Sequence, residues 1–306
     1  MNTLNHSNYA QNNGPQNVDT ASAQSMADLN RTHNCEAATS EISIHTGFID
    51  LDRLISKLSP GSLIVISGRP EMEKFSFTLN IASHVVIEQQ LPVVIFSMEL
   101  TGQQVAAKVS DQLGKIDQVR LQAVNIDDDI YTKSNSLELN KLKGAKLFID
   151  DTAPLNIEQL CSRIRVFYAQ CGQLGLVIVN YLQLVDRADK ESAKELMASL
   201  KNLAKDVNAP VIVISQIGRK LEHRSNKRPI LSDFIEVDIE PEADLVLFIY
   251  RDEIYAENSP DKGVAEIIIG KNRCGPIGTV RLGFNDECCN FSNIQVLSEE
   301  VPNQKP

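Results

Sequence analysis

A short loop near residue 70 has the residue spacing of a site that binds phosphate groups. The expected pattern is G-x-x-x-x-G-K-[ST], between a strand and a helix. Gly68 and Lys74 stand at the required positions, but Glu73 replaces the second glycine and Phe75 replaces the hydroxyl residue that ligates Mg²⁺. By itself the match is weak. Lys74 is equally consistent with a phosphate ligand and with an ion-pair partner of Glu71 or Glu73.

A group of basic side chains is the second candidate for chemistry. Taken alone, such a run is more typical of a solvated loop than of a nucleic-acid site. The formal net charge of −10 means that any contact with a phosphate backbone must be local, as in a ring channel, because such binding relies on neutralising phosphates. The basic group consists of Arg219, Lys220, Arg224, Lys227 and Arg228.

The elements that must position these residues are short apolar runs. Six runs are continuous rather than alternating, which is typical of parallel strands buried on both faces: 63–66, 93–96, 146–149, 176–179, 211–214 and 245–249. Apolar residues at helical spacing lie between most of them, such as Leu79, Ala82 and Val86. Runs at 267–269 and 280–282 have no helix between them and indicate antiparallel edge strands. The sequence therefore predicts an α/β fold with a mainly parallel central sheet.

Composition divides the chain into three parts. Residues 1–42 are rich in Asn, Gln, Ser and Thr and too poor in apolar residues to offset the entropy of ordering, so we predict disorder. We predict one domain over 43–294 and a flexible tail over 295–306. No leader and no bilayer-spanning apolar run is recognisable, and the cysteines and histidines lack metal-ligand spacing. We therefore expect a cytoplasmic protein with no membrane partner and no metal site.

Further motifs follow the phosphate loop in order along the chain. They include Phe96-Ser97-Met98-Glu99-Leu100, Val179-Asn180-Tyr181-Leu182-Gln183-Leu184, Tyr250-Arg251-Asp252-Glu253 and Gly270-Lys271-Asn272-Arg273-Cys274-Gly275. From Thr46 to Phe291 the sequence resembles the motor domain of DnaB-family replicative DNA helicases. We do not expect the family's separate N-terminal collar domain, since only the low-complexity segment precedes the motor.

This resemblance implies a RecA-like P-loop NTPase fold, with helices on both faces of the sheet, that binds ATP and Mg²⁺. The residues at the nucleotide would be Gly68, Arg69, Pro70, Glu73, Lys74 and Phe75. Glu73, Phe75 and Asn180 depart from the family, which has a glycine, a Mg²⁺-binding Thr and the Walker B Asp there. A like-charge pair about 4 Å apart costs ~4 kcal/mol at an effective dielectric near 20. We therefore expect weakened nucleotide binding and impaired hydrolysis, with the Phe75 ring in an apolar pocket.

Other positions keep the family's residues. Glu99 matches the carboxylate that activates the attacking water, and Gln216 matches the sensor of the γ-phosphate. Lys271 and Arg273 match the basic pair that acts in trans on a neighbouring subunit's nucleotide, as an arginine finger does. With Asn180 in its altered form, these are the candidate catalytic residues. Plainer roles stay open: Glu99 as an ordinary strand-end carboxylate and Arg273 as a solvated turn residue.

The resemblance further implies that the basic group at 219–228 lines a DNA channel in a hexameric ring. The following stretch is acidic where the family has an Arg and a Gly-Ser turn; its carboxylates are Asp233, Glu236, Asp238, Glu240, Glu242 and Asp244. Single-stranded DNA is a candidate ligand, beside DnaB-type subunits in a homo- or hetero-oligomeric ring.

Three functions remain open at this point. The first is a DnaB-like subunit in DNA replication that has lost efficient hydrolysis and acts as a partner or regulator of a helicase ring. The second is an active ATP-dependent DNA helicase with an altered P-loop. The third is a non-catalytic RecA-like module for protein contacts. The first is favoured because the phosphate loop departs from the family's pattern, whereas the residues that match the arginine finger are retained.

Overall fold

The structure is a computed structural model that describes residues 43–122, 144–186, 193–234 and 239–294. The predicted disordered segment 1–42, the predicted tail 295–306, and Glu236 and Asp238 of the acidic stretch lie outside these residues. The helices in the described ranges are α1 (Ile49–Ile55), α2 (Lys74–Ile87), α3 (Gly102–Gln122), α4 (Ile157–Cys171) and α5 (Ala193–Asp206).

The strands alternate with these helices over most of the chain. They are β1 (Leu63–Gly68), β2 (Val93–Ser97), β3 (Leu147–Asp150), β4 (Leu155–Asn156), β5 (Leu176–Asn180), β6 (Val185–Asp186), β7 (Val211–Gln216), β8 (Leu245–Tyr250), β9 (Val264–Asn272), β10 (Gly278–Asn285) and β11 (Asn290–Asn293). Short 3₁₀ turns span Leu182–Leu184, Arg219–His223, Leu231–Asp233 and Asp252–Ile254.

Nine of these strands form one sheet in the order β11-β10-β9-β8-β1-β7-β5-β2-β3, and β4 pairs with β6 apart from it. From β8 to β3 the neighbours are parallel, whereas β9, β10 and β11 pair antiparallel at the other side. Of the six continuous apolar runs, those in β1, β2, β5 and β8 form fully buried strands, and β7 is buried up to Gln216. For the run at 146–149 the prediction of burial on both faces is wrong, because β3 is half-buried throughout. In β9, buried and half-buried residues alternate over most of its length. The predicted α/β fold, with antiparallel edge strands, is confirmed.

Two apolar cores lie on opposite faces of the sheet, because successive side chains of a strand point to opposite sides. Ile64 and Ile66 of β1 contribute to one core together with α1, α2 and α3. Leu63 and Val65 contribute to the other core together with α4 and α5. The predicted helix cover on both faces is therefore present. It leaves the ends of the strands as the surfaces where ligands can be held, and in such sheets the carboxyl ends are the usual place.

Local signals explain where elements begin and end. Helix α4 begins at a capping box in which Asn156 and Gln159 each accept a hydrogen bond from the other's backbone N–H. It ends at Gly172, whose φ of 74° is the left-handed conformation that glycine adopts without cost. Among the described helices, none is both long enough and apolar enough to cross a bilayer.

Candidate functional site

The phosphate loop joins β1 to α2 at the carboxyl-end edge of the sheet. Gly68 ends β1, and a Cβ there would lie 2.9 Å from the carbonyl oxygen of Ile249, so the position requires glycine. Glu73, directly before α2, has φ 55° and ψ 39°, and Glu71 has φ 68°. The loop therefore keeps the left-handed backbone at Glu73, where the family pattern has glycine. A left-handed residue with a side chain is disfavoured by roughly 1–2 kcal/mol.

Lys74 is the first residue of α2, and its side chain is turned back into the loop. It is only 4% exposed, and its Nζ donates a 2.8 Å hydrogen bond to the carbonyl oxygen of Arg69. Within the described ranges, neither Glu71 nor Glu73 forms an ion pair with it. Burial lowers the pKa of Lys74 to about 8, against the opposing attraction of Glu73 and Glu99. The ammonium thus occupies the place of a phosphate ligand while bonding to the protein's own backbone.

Phe75 lies in the apolar core between α2 and the sheet, 7% exposed. The expectation that its ring fills an apolar pocket is confirmed. The nearest hydroxyl in sequence belongs to Ser76, whose Oγ donates to a carboxylate oxygen of Glu73 at 2.6 Å. At the position where the resemblance implies a metal-binding hydroxyl, this chain has core packing, and the adjacent Ser76 has a local hydrogen bond.

Asn180 ends β5 and is fully buried. The β5 residues Leu176 and Ile178 belong to the core under α2, so the alternation of side chains directs Asn180 to the α2 face as well. Neither its Oδ1 nor its Nδ2 has a hydrogen-bond partner in the described part of the chain. Buried polar atoms are normally paired, so this amide is a group available to a ligand.

Glu99 and Gln216 lie at the same edge. Glu99 follows β2 and is exposed; its charge acts on Lys74 and also helps raise the pKa of Tyr181 to about 12, after the larger effect of burial. The Tyr181 ring centroid is 5.9 Å from the Lys74 Nζ. Gln216 ends β7 and is paired directly with Gly68 across the sheet. The structure therefore gathers the predicted residues of the nucleotide side around the phosphate loop.

Arg69 and the exposed Pro70 complete the loop. The Nε of Arg69 donates to Glu222 at 2.6 Å, which ties the loop to the 3₁₀ turn that carries Arg219 and Lys220. Glu222 was not among the predicted site residues. Its partner is 153 positions away in sequence, so no local pattern points to it.

Arg251 is a second residue of the site that sequence reasoning did not assign. It is 2% exposed; its Nη1 donates to the Glu71 carbonyl at 3.2 Å, and its Nη2 donates to Glu253 and Asp286. The guanidinium carbon lies 3.7 Å from the ring centroid of Phe284. Arg251 thus anchors the phosphate loop through the Glu71 carbonyl. The signal in the sequence was its place directly after a buried strand, within the motif Tyr250–Glu253.

Lys271 and Arg273 lie at the opposite, amino-end edge of the sheet. The Lys271 Nζ donates to the carbonyl oxygen of Glu240 at 2.7 Å, and Arg273 forms a 2.8 Å ion pair with Asp244 while its side chain stays 52% exposed. Asp244 accepts from the backbone N–H of Leu63, at the start of β1. Five residue steps along β1 separate this level from Gly68, about 17 Å at ~3.3 Å per residue. The pair therefore lies far from its own phosphate loop.

Three members of the basic group are engaged within the chain. Arg224 pairs with Asp233 at 2.9 Å, the Lys227 Nζ donates to the Glu222 carbonyl, and Arg228 bonds Glu266 through two 2.6 Å contacts. Within the described residues, Arg219 and Lys220 have no side-chain hydrogen bond or ion pair, and both are exposed. Of the predicted DNA-binding residues, these two are exposed and have no side-chain partner in the described part of the chain.

The residues around the loop fit a phosphate group better than they fit Mg²⁺. Lys74, the unpartnered Asn180 amide and the backbone N–H groups that begin α2 are donors suited to an anion. Mg²⁺ requires oxygen ligands, commonly carboxylates. Phe75 supplies none, and Asn180 supplies a neutral amide. In the described ranges, no cluster of three or more His, Cys, Asp and Glu residues could hold a metal ion.

A parallel sheet with a phosphate loop after β1, Walker-type positions on neighbouring strands and helices on both faces defines a RecA-like P-loop protein. One solved structure, described as an ATPase domain, matches 92% of this chain and all of its own length, with a TM-score of 0.79 and 26% identity. The RadB recombinase, at a TM-score of 0.54 and 14% identity, shares the fold alone.

The chain belongs to the family described as the DnaB-like helicase C terminal domain, which matches residues 43–293. The replicative DNA helicase DnaB of Buchnera aphidicola subsp. Baizongia pistaciae is 36% identical over 95% of the chain. That of Haemophilus influenzae is 39% identical over 92%. The chain spans 64% and 62% of the length of these two relatives. The suspected family is confirmed.

Proposed function

We propose that this chain acts in DNA replication as a DnaB-like motor domain whose own ATP turnover is impaired, and that it serves a helicase ring as a partner or regulator. The observation that carries the proposal is an asymmetry between two edges of one sheet. At the carboxyl-end edge, the groups for nucleotide and metal are turned inward or replaced. At the amino-end edge, the finger residue Arg273 remains half exposed.

The impaired half of the proposal rests on three features of the loop. Lys74 bonds to the Arg69 carbonyl, Phe75 is packed in the core, and Asn180 lacks the negative charge that would support Mg²⁺. In P-loop NTPases the metal ion neutralises charge that develops on the β- and γ-phosphates. A site without its hydroxyl and carboxylate supports therefore binds ATP weakly and turns it over slowly.

The partner half rests on the position of Lys271 and Arg273. About 17 Å separates their edge from their own loop, so the nucleotide that they serve belongs to another subunit. The relatives are named replicative DNA helicases, and one similar solved structure is titled as a DnaB-like replicative helicase with its interactions with primase. DnaB-type subunits in a cytoplasmic ring are therefore the partners we propose, with single-stranded DNA at Arg219 and Lys220.

The test is steady-state phosphate release by the isolated full chain, with and without single-stranded DNA. We expect release barely above background. A competent DnaB-family helicase is then added, and complex formation is followed by light scattering. A rate constant for the isolated chain within about 1–10³ s⁻¹ would overturn the impaired half, and failure to associate at any attainable concentration would overturn the partner half.

One observation favours a second candidate, an active helicase with an altered loop. Lys74, Glu99 and Gln216 are all present at the carboxyl-end edge, and the loop keeps its left-handed turn without glycine. This candidate predicts DNA-stimulated turnover by the chain alone. The phosphate-release measurement therefore separates the two. A chain that neither turns over ATP nor associates would be a stand-alone RecA-like module.

A further inference from the structure

Asn180 and Lys74 form a buried pair of donors on the same face of the sheet. Asn180 is 0% exposed, and both polar atoms of its side chain are unpartnered within the described residues. Lys74 is 4% exposed, and its ammonium contacts a single carbonyl oxygen, that of Arg69. An amide differs from the carboxylate it replaces in one respect that matters here: its Nδ2 donates hydrogen bonds, and it carries no charge that repels phosphate.

Helix α2 adds a third source of positive potential. It is 14 residues long and begins at Lys74, and within the described chain no side chain caps it. The first backbone N–H groups of a helix lack intrahelical partners and attract anions. The ammonium and the helix N-terminus lie together, and the Asn180 amide is one residue before the Tyr181 ring, whose centroid is 5.9 Å from the Lys74 Nζ. The positions that would recruit a divalent cation hold a phenyl ring and a neutral amide.

Two carboxylates face this arrangement and limit what it can bind. Glu73 is held by the Ser76 hydroxyl at 2.6 Å, and Glu99 is exposed at the end of β2. Both act on Lys74 through space, so they help to keep its ammonium charged. With Phe75 in the core, no oxygen ligand stands at its position to join them in a metal shell.

We propose that these donors at the phosphate loop bind the phosphate groups of a nucleotide without a divalent metal ion, through Lys74, the Asn180 amide and the N-terminus of α2. The inference rests on the proposed function, because it assigns the ligand chemistry of the same loop. It differs from the metal-dependent binding of P-loop NTPases in what the side chain at position 180 does: a carboxylate there repels phosphate and supports the metal ion, whereas the amide donates a hydrogen bond. Here the residue at the Walker B position would attract phosphate directly.

The experiment is an equilibrium titration of the full chain with ATP, once in EDTA and once in excess MgCl₂. We expect the affinity in EDTA to equal or exceed that in MgCl₂. Asn180→Asp places a carboxylate beside the phosphates and should reduce the affinity in EDTA by about tenfold or more. Asn208→Asp is the matched control: it adds the same charge at an exposed residue just before β7, at the amino-end edge, and should leave the affinity unchanged.

Two further arms identify the ligand and guard against misfolding. Inorganic pyrophosphate in EDTA separates recognition of phosphate from recognition of the whole nucleotide: competition with ATP supports the phosphate assignment, and no competition overturns it. Asn180→Ala removes the donor without adding charge and should reduce the affinity by about three- to tenfold. Circular dichroism melting of each variant shows that it is folded.

Several outcomes contradict the inference without touching the proposed function. Binding only in MgCl₂, or no binding in either buffer, would sink it, and so would an Asn180→Asp variant with unchanged affinity in EDTA. Phosphate release by the same samples is scored separately. Turnover in the enzyme range would refute the impaired-motor proposal even if ATP also bound in EDTA.

Discussion

The two edges of the central sheet differ in how exposed their basic residues are. At the carboxyl-end edge, Lys74 is buried and bonded to a backbone carbonyl, and Asn180 is buried without a side-chain hydrogen-bond partner in the described ranges. At the amino-end edge, Arg273 is half exposed and is held by Asp244, which Lys201 also contacts at 2.5 Å. A buried ammonium at one edge and a half-exposed guanidinium at the other are what we expect if the two edges serve different molecules.

Asp244 explains how an exposed arginine stays in place. Its carboxylate accepts from the Leu63 N–H, from Lys201 and from Arg273, and its carbonyl oxygen accepts from the Arg273 N–H. Exposed ion pairs are individually weak, but a carboxylate with several partners forms a fixed support. Arg273 is thus positioned by the fold itself.

The largest expected effect is on a partner's ATP turnover, which should depend on the amino-end edge and not on the carboxyl-end edge. In a mixture with a competent DnaB-family helicase, Arg273→Ala should abolish any change that this chain makes in the partner's ATP turnover, since an arginine finger is typically worth ~10³–10⁵ in rate where it operates. Lys74→Ala, at the other edge, should preserve that change. Phosphate release measures both. Equal losses from the two variants would break the comparison, because the edges would then act as one site.

The next effect is the loss of stability when the hydroxyl residue of the phosphate-loop pattern is restored at position 75. Phe75→Thr restores the family's hydroxyl but removes a buried phenyl ring, so the free energy of unfolding should fall by about 3 kcal/mol. Phe75→Leu keeps the apolar contact and should cost less. Denaturant titration of both variants checks this.

Magnesium-dependent ATP binding should require the combined change Glu73→Gly, Phe75→Thr and Asn180→Asp, because residues that act as a unit are strongly non-additive. If the triple variant gains no Mg²⁺ dependence over the parent, the edge has diverged at other positions as well.

The sequence allowed the main sheet to be predicted because continuous apolar runs have few other uses. Strand β11 was missed, since three of its four residues are Asn or Ser and its one apolar residue is Phe291, which packs against Phe77 and Phe284. The two-residue strands β4 and β6 are too short to leave a pattern. Strand identity was thus readable where burial on both faces dictated composition, and unreadable at the sheet's margin.

The site was predictable in position but not in its bonding. The motif spacing predicted the position of Lys74 in the loop. Its partner could not be predicted from residue types, because it is the backbone carbonyl of Arg69. The basic group looked uniform in sequence, but Arg228 pairs with Glu266 across 38 positions and Arg224 with Asp233. The first pair joins the connection between β7 and β8 to β9, and the second lies within that connection. Tertiary contacts therefore decide which basic residues remain without a partner in the described part of the chain.

A smaller effect is the pH dependence of nucleotide binding. In the unfolded chain the Lys74 ammonium has its ordinary pKa of 10.5, whereas burial lowers the folded value to about 8. The unfolded state therefore binds more protons between these values, and the folded state gains stability from this group as the pH rises through that window. A bound phosphate favours the charged ammonium. ATP affinity should be highest below pH 8 and fall by up to ~10-fold per unit above it.

Titration of ATP from pH 7 to 9.5 measures this slope, and proton uptake on binding should accompany it. Lys74→Met is the control, since it should bind weakly with little slope over the same range. A parent chain whose affinity is flat to pH 9.5 would mean that Lys74 stays bonded to the Arg69 carbonyl and does not reach the ligand. The carboxyl-end edge would then lack a charged side chain that contacts nucleotide.

The smallest effect tests whether the loop's backbone or its charge opposes nucleotide. Glu73 holds a left-handed φ of 55°, so Glu73→Gly should stabilise the fold by up to about 1 kcal/mol. The greater freedom of glycine in the unfolded chain offsets part of that gain. Glu71→Gly is matched in charge, loop and left-handed backbone, and should change the melting temperature similarly, by about 2–4 °C or less. The two variants should differ in ATP affinity, which should rise severalfold only for Glu73→Gly, because this carboxylate lies beside Lys74 and opposes phosphate. Equal gains would assign the effect to backbone freedom, and no gain in either would leave Phe75 and Asn180 as the determinants of this edge.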